Sequence, residues 1–318
     1  QNVYDELGQL IQKKVGNTAA LPLQNVNYKY NIRGWLKQLN DVNAIGTDLF
    51  AMSLNYNTPT TGTALFNGNI RQQLSKTLNT DQAIKTYTYS YDALNRIKSA
   101  AHTSTNYGLF NVDYDKNGNI MKLKRNGQTN AGATTFGVMD DLTYTYDSGN
   151  KLITLSDIGS DVEGARDDQV GTSADSTNDY LYDVNGNMTS DTNKGITAIT
   201  YNQMNLPLQV TTAAGNVQYA YDATGIKLRK TLTQGGVITI TDYANGNIYE
   251  KVGAGANTLK YMAQAEGYIS VSAGIYTYVY QYKDHLGNAR LNYKNNSGNQ
   301  TMVTNQILEE SNYYPFGL

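Results

Sequence analysis

Aromatic and apolar residues return at every second position in short runs along most of this chain. Tyr87, Tyr89 and Tyr91 are spaced two apart, as are Tyr144 and Tyr146, Tyr180 and Tyr182, and Tyr219 and Tyr221. Thr86, Thr88 and Thr145 fill places between them. A period of two puts each set of rings on one face of a strand, and tyrosine and threonine both suit a pleated surface. The strongest run is Ile275 to Tyr282, where Tyr276, Tyr278, Tyr280 and Tyr282 alternate. The pattern predicts an all-β chain.

A turn follows each run. Its consensus is Tyr-x-Tyr-Asp-x-x-Gly-x-Leu, seen at Tyr4-Asp5 with Gly8, Tyr114-Asp115 with Gly118, Tyr182-Asp183 with Gly186 and Tyr221-Asp222 with Gly225. Aspartate opening a type I turn can accept hydrogen bonds from backbone amides just ahead of it, and the glycine three residues later can take positive φ and close a bulged hairpin. Asn95 after Tyr91-Asp92, and Asn205 after Tyr201-Asn202, stand in the glycine place. Asparagine is the next most tolerant residue there. Asn31 replaces the aspartate before Gly34, and Tyr146-Asp147-Ser148-Gly149 brings its glycine one place early. An apolar residue restarts the next strand, at Ile97, Ile120, Leu152 or Leu228. Clear copies are spaced by roughly 20 residues, as at Tyr182, Tyr201, Tyr221 and Tyr243, enough for two strands and their turns. Such repetition predicts an array of similar hairpins in which neighbours contact neighbours.

The array is expected over 1–240. Within 1–60, the stretch holding Trp35, Leu36, Leu39 and Ile45 reads either as a short helix or as an irregular connection. Residues 156–178 carry Asp157, Asp161, Glu163, Asp167 and Asp168 without alternation, and are expected to form a solvated surface loop inserted between hairpins. Residues 241–318 change character. They hold a glycine- and alanine-rich stretch, the strong strand, then Asp284-His285-Leu286-Gly287-Asn288-Ala289-Arg290 and a closing Tyr313-Tyr314-Pro315-Phe316-Gly317-Leu318.

The 318 residues suffice for one large all-β domain or two ordinary ones. Charged residues make up only 16%, which argues against simple disorder, and 27 tyrosines against 5 phenylalanines supply apolar area with a polar tip. Net charge is −2 with no basic run, which speaks against nucleic acid. No apolar stretch is long enough to span a membrane. Absence of cysteine removes disulfides, thiolate metal sites and cysteine nucleophiles together. The chain opens inside a repeat and is read as a fragment of something longer, so the lack of a signal peptide at Gln1 says little about location.

Candidate chemistry is sparse. His102 and His285 are the only histidines. Asp284 is beside His285, but adjacent strand residues point to opposite faces, so a structural role is preferred to metal binding. The acidic loop lacks the spacing of a known calcium loop. Asp140-Asp141 reads as a turn or strand-end pair rather than as catalytic carboxylates. The tyrosine ladders could stack on sugars, but cross-strand packing accounts for most of them. No phosphate-binding glycine loop, cofactor site or metal site is predicted.

The Tyr-Asp repeats, followed in order by the Asp284–Arg290 motif and Tyr314-Pro315-Phe316-Gly317, resemble the Rhs/YD-repeat family over essentially the whole chain. The wording of Tyr89-Ser90-Tyr91-Asp92-Ala93-Leu94-Asn95-Arg96-Ile97 looks most like Rhs-type proteins of Bacteroidetes. The resemblance implies hairpins that form a curled sheet, part of a hollow spiral β-shell. In bacterial toxin systems such a shell encloses a C-terminal toxin. Animal relatives, the teneurins, use a similar shell in adhesion. The self-cleaving aspartates of the family's core would lie beyond Leu318, so no catalytic residue is carried over. Tyr91, Asp92, Tyr114, Asp115, Gly118, Tyr146, Asp147, Tyr182, Asp183, Gly186, Tyr221, Asp222, Gly225, Asp284, His285, Gly287, Arg290, Pro315 and Gly317 are expected to be structural. The function expected is a non-enzymatic scaffold, secreted or at a bacterial cell surface. Its partners would be a downstream toxin or sorting domain of the same polypeptide, with secretion machinery or a cell-surface partner. Alternatives are an adhesion or glycan-binding module and part of an autoprotease.

Overall fold

A computed structural model describes residues 1–79, 81–160, 163–167, 178–295 and 306–315. Among the described residues there are 25 β-strands and no α-helix. The strands form a 12-stranded sheet running from Asn2–Tyr4 to Leu152–Asp157 and a 13-stranded sheet running from Tyr180–Tyr182 to Ile307–Glu310. In both, each strand bonds to the next in chain order, which is the meander a hairpin array requires. Neither closes on itself among the described strands.

The undecided stretch near Trp35 is a strand, Leu36–Leu39, not a helix. The Asn31 turn folds it back so that Tyr28 pairs with Leu39 and Lys29 with Gln38. Ile45 sits in the irregular connection that follows. Tyr243 has the spacing of a repeat, but the hairpin after it turns on Asn245 and Gly246, both at positive φ (48° and 80°). Two consecutive residues in that region make the two-residue hairpin loop, which needs no aspartate. Leu228 likewise does not restart its strand; Lys227 does.

The chain divides into two compact units. The first comprises Gln1–Phe110, Gln264–Tyr268 and Thr277–Leu318. Its core is fully closed from solvent at Leu49, Phe50 and Met52, with Leu39, Tyr282 and Tyr293 packed around them. Polar groups inside it are matched. Gln24 Oε1 accepts from the Tyr282 hydroxyl at 2.6 Å and from the Leu49 amide at 3.0 Å. Asn40 Nδ2 donates to the Phe50 carbonyl at 2.9 Å. Burial with every polar atom paired is the condition for polar side chains to survive in a core.

The second unit comprises Asn111–Ala263 and Ile269–Tyr276. Here two expectations fail. Asp140 and Asp141 stand in mid-strand, in Phe136–Tyr146, not at a turn or strand end. Asp140 is fully buried and pairs with Arg125 Nε at 2.6 Å, while Asp141 pairs with Lys124 at 2.6 Å. Cross-strand register sets these partners opposite one another. Nor is the acidic stretch uniformly solvated. Asp157 and Asp167 are buried, whereas Glu163 is exposed. The Asp157 carboxylate accepts from the Asp141 and Gly159 amides at 2.8 and 2.7 Å, and Asp167 accepts from the Asp157 amide at 2.8 Å. The amides of Asp141, Asp157 and Gly159 are thus satisfied by carboxylates instead of water. Asp161 and Asp168 lie outside the described residues.

Beyond this, from Ile196 to Gln264, Thr241 alone is buried. The strands are in register and paired, yet their side chains are half-buried or exposed rather than enclosed in a core. Lateral pairing aligns Ile199, Val210, Val217, Leu232, Thr239 and Val252 in one row on one face. The adjoining row on the other face is Gln209, Gln218, Thr231, Ile240 and Lys251.

Candidate functional site

The repeated turn is one structure, built the same way each time. At Asp92, Oδ1 accepts from the amides two and four residues on, Leu94 and Arg96, both at 2.9 Å. Asp115 does so with Asn117 and Asn119 at 2.8 and 2.9 Å, and Asp183 with Asn185 and Asn187 at 2.9 and 2.8 Å. The same pair of bonds is made by Asp5, Asn31, Asp147, Asn202, Asp222 and Asp284. The residue three after the acceptor has positive φ in every case. At Gly118, Gly186, Gly225 and Gly287 it is 94°, 84°, 88° and 86°. In the Asp147 copy the left-handed residue is Asn150 (φ 64°), so the early glycine at 149 does not shift the turn. A register shift at the preceding strand end, such as Ser90/Tyr91 or Ala220/Tyr221, marks the bulge. Asp92 is held below the usual carboxylate range by the Arg96 amide bond first, then the Arg96 guanidinium; for Asp183 the Asn187 side-chain amide leads.

The tyrosines join one turn to the next. The hydroxyl of Tyr146 donates to the Ile120 carbonyl at 2.9 Å, Tyr182 to Leu152 at 2.8 Å, Tyr201 to Met188 at 2.6 Å and Tyr221 to Pro207 at 3.0 Å. Each acceptor restarts the strand after the previous turn. Tyr30 reaches Leu10, Tyr56 reaches Leu36 and Tyr313 reaches Ala289 in the same way. Tyr91 reaches Ile70 at 2.7 Å. That bond exposes a copy hidden in the sequence, Leu65-Phe66-Asn67-Gly68, which lacks the aspartate but keeps positive φ (97°) at Gly68. Desolvation within the sheet pushes the phenols of Tyr91, Tyr144 and Tyr180 up to about 12. Tyr114 ends the strand before its own turn.

Asparagine in the glycine place proves to be more than tolerated. Asn150 Oδ1 accepts from Asn119 Nδ2 at 2.8 Å, Asn205 from Asn187 at 2.9 Å and Asn95 from Asn69 at 3.0 Å. Each donor stands four residues after the opening position of the preceding turn. Where that place holds a longer side chain, the next turn keeps glycine: a Cβ on Gly34 would come 3.2 Å from Gln9 Nε2, and one on Gly225 3.2 Å from Leu206 Cδ1. The alternation of asparagine between successive turns was the available sequence signal.

The late motif belongs to the first unit. Asp284 makes the turn described, and Gly287 closes it. Arg290 is buried; its Nε donates to the Ser311 carbonyl and its Nη2 to Asn312 Oδ1, both at 2.9 Å. It lines two cavities, of about 340 and 220 Å³. The larger is walled by Tyr87, His102, Tyr107 and Tyr314; the smaller takes in His285 and Pro315. Gly317 lies outside the described residues. The tyrosine ladder of Ile275–Lys283 runs from exposed Tyr276 and Tyr278 (61% and 53%) to Tyr282 at 2%.

No family model and no curated protein matches the chain. Solved structures do. The crystal structure of TcdB2-TccC3-TEV matches 100% of this chain with a TM-score of 0.61 at 16% identity, and that of TcdB2-TccC3-Cdc42 matches 100% with a TM-score of 0.59 at 15% identity. The chain spans 17% of the length of either. At these identities the likeness shows the fold: an all-β array of repeated hairpins, extending over the whole chain. No helix among the described residues is long and apolar enough to cross a membrane.

Proposed function

We propose that the chain is part of a Rhs-type β-shell, a scaffold that encloses or presents a cargo segment of the same exported or surface-borne bacterial polypeptide. The observation that carries this is the stretch from Ile196 to Gln264. Its strands are fully registered, yet the row Ile199, Val210, Val217 and Leu232 is only half-buried and Val252 is exposed, so the row is not closed into a core. A partly exposed apolar row on an ordered wall can hold a chain that has not folded, because the apolar surfaces of both leave water together. The names of the two similar structures join TcdB2-TccC3 to different third parts, TEV and Cdc42, as a scaffold indifferent to its cargo would allow. Mechanistically, sequestration needs no catalytic residue, and none is assigned.

The test is suppression of aggregation of a reduced, unfolded client protein by the 318-residue chain. Suppression that is lost on Val217→Lys with Leu232→Lys, while the β-sheet spectrum is kept, supports the scaffold. Absence of suppression by the unaltered chain counts against it. A second reading, adhesion to a surface glycan, is favoured by the exposed Tyr276 and Tyr278. Glycan-array binding lost on Tyr276→Ala with Tyr278→Ala, without loss of fold, would favour that reading.

A further inference from the structure

Asparagine followed by glycine occurs five times in the chain, at Asn67-Gly68, Asn117-Gly118, Asn126-Gly127, Asn185-Gly186 and Asn245-Gly246. The pair carries chemistry of its own besides making turns. The backbone nitrogen of the glycine can attack the asparagine side-chain carbonyl, because glycine has no Cβ to hinder the approach. Three conditions govern that attack. The attacking amide must not have its proton held by an acceptor, the side-chain amide must be free to swing onto it, and water must reach both. The five copies share a dipeptide and differ in these conditions.

Four are guarded. The Gly118 and Gly186 amides donate to the carbonyls of Asp115 and Asp183, at 3.3 and 3.0 Å, as part of the repeated turn. Asn117 is tied a second time, its Nδ2 donating to Asn150 Oδ1 at 2.8 Å. Asn67 donates through Nδ2 to Asn95 Oδ1 at 2.7 Å and accepts at Oδ1 from the Asn69 amide at 3.2 Å, which fixes its side chain. Asn126 and Gly127 stand inside the strand Ile120–Gln128, opposite Val138 and Gly137, and Gly127 is buried.

Asn245-Gly246 is not guarded. It forms the two-residue loop between Val237–Ala244 and Asn247–Val252, and the ladder closes on the flanking pair, Ala244 and Asn247. No hydrogen bond among the described residues occupies the Gly246 amide or the Asn245 side chain, and both residues are exposed. No aspartate opens this hairpin, so the carbonyl that holds the Gly118 and Gly186 amides has no counterpart here.

We propose that Asn245-Gly246 is a self-modification site, at which the folded chain converts asparagine to isoaspartate and aspartate ahead of its other Asn-Gly pairs. Hydroxide takes the Gly246 amide proton. The nitrogen then bonds to Asn245 Cγ and the Cγ–Nδ2 bond breaks. Nδ2 takes a proton from water and leaves as ammonia, so a cyclic imide remains. Water next adds to one of the two imide carbonyls. Addition at Cγ breaks the new bond and gives aspartate. Addition at the α-carbonyl breaks the original peptide bond and gives isoaspartate, whose main chain runs through Cγ. Either product adds a negative charge, and isoaspartate also lengthens the loop that holds Ala244 opposite Asn247. The step needs only water and does not depend on the scaffold reading.

The test is ageing of the folded 318-residue chain in mildly alkaline buffer, followed by peptide mapping with electron-transfer fragmentation, which tells isoaspartate from aspartate. All five pairs are read in one digest. Conversion at Asn245 is expected to run at least about fivefold ahead of Asn185, the rate difference that one hydrogen bond on the attacking amide confers, and further ahead of Asn117 and Asn126. The same chain in denaturant is the control. There the five pairs should convert at similar rates, since the bonds that separate them are gone. A smaller lead over Asn185, conversion led by any other pair, no conversion at Asn245 in the folded chain, or a lead that persists undiminished in denaturant overturns the proposal.

Discussion

The core around Phe50 and the open strands between Ile196 and Gln264 use the same turn to opposite ends. In the first unit, the hairpins opened by Asn31 and Asp92 flank or line a packed interior in which Leu49, Phe50 and Met52 lose all contact with water. In the open stretch, Asn202 and Asp222 make identical turns, but Val217 and Leu232 stay only half-buried. The turn therefore fixes register without help from a core. What it does not supply is the burial energy that a core adds. In the open strands, cross-strand partners replace it: Arg229 grips Asp242 with two bonds at 2.5 and 3.0 Å, and Lys227 sits 4.3 Å over the Tyr219 ring.

The contrast should show most strongly in paired truncations. Phe50→Ala is expected to cost about 3–5 kcal/mol in denaturant unfolding. Val217→Ala should cost less than about 1 kcal/mol, since only partial burial is lost. Equal costs would erase the distinction. Next in size come the turns. A Cβ at Gly118 would meet nothing within 4 Å, so Gly118→Val tests backbone strain alone and should cost about 1–2 kcal/mol, with new protease cleavage nearby. Gly186→Val should behave alike; unchanged protease protection in both would contradict the turn assignment.

Smaller still is the stitch between repeats. Tyr201→Phe removes the donor to the Met188 carbonyl and should cost about 0.5–1.5 kcal/mol in thermal or denaturant unfolding, in the open stretch as much as in the core. The turn carboxylates, which lie near solvent, should give the smallest effect per site, read through pH. Asp92 and Asp183 have folded-state values below the ordinary one, so their contribution is complete above the unfolded value, near about 4, and fades as pH falls through the depressed folded value. Asp48, pushed up to about 6 by burial, works oppositely: it favours the fold as pH falls below that value. Stability measured from pH 7 downward should rise slightly through 6 and then decline below about 4. Asp48→Asn should remove the rise and keep the decline.

The turns were legible because their chemistry is local. An aspartate, the amides two and four residues on and a left-handed residue all lie within one short segment, so Asp284 could be placed with Asp5 from spacing alone. Asp140 and Asp157 were misread because their partners are set by register across strands: Arg125 comes from the strand beside, and the Asp141 amide from the strand before. The Leu65–Gly68 copy escaped for a related reason. Its aspartate is gone, and only the Tyr91 hydroxyl on the Ile70 carbonyl reveals that the geometry persists.

The hydroxyl-to-carbonyl bonds all point one way along the polypeptide, from a later tyrosine to an earlier strand start. Through this bond, a hairpin is held by its successor. For a chain made from its amino end, this is a ratchet: each newly emerged segment seals the one before it, and only the most recent segment is left unsealed. The core around Phe50 is the exception, since it takes in Tyr282 and Tyr293 and closes only when those late strands arrive.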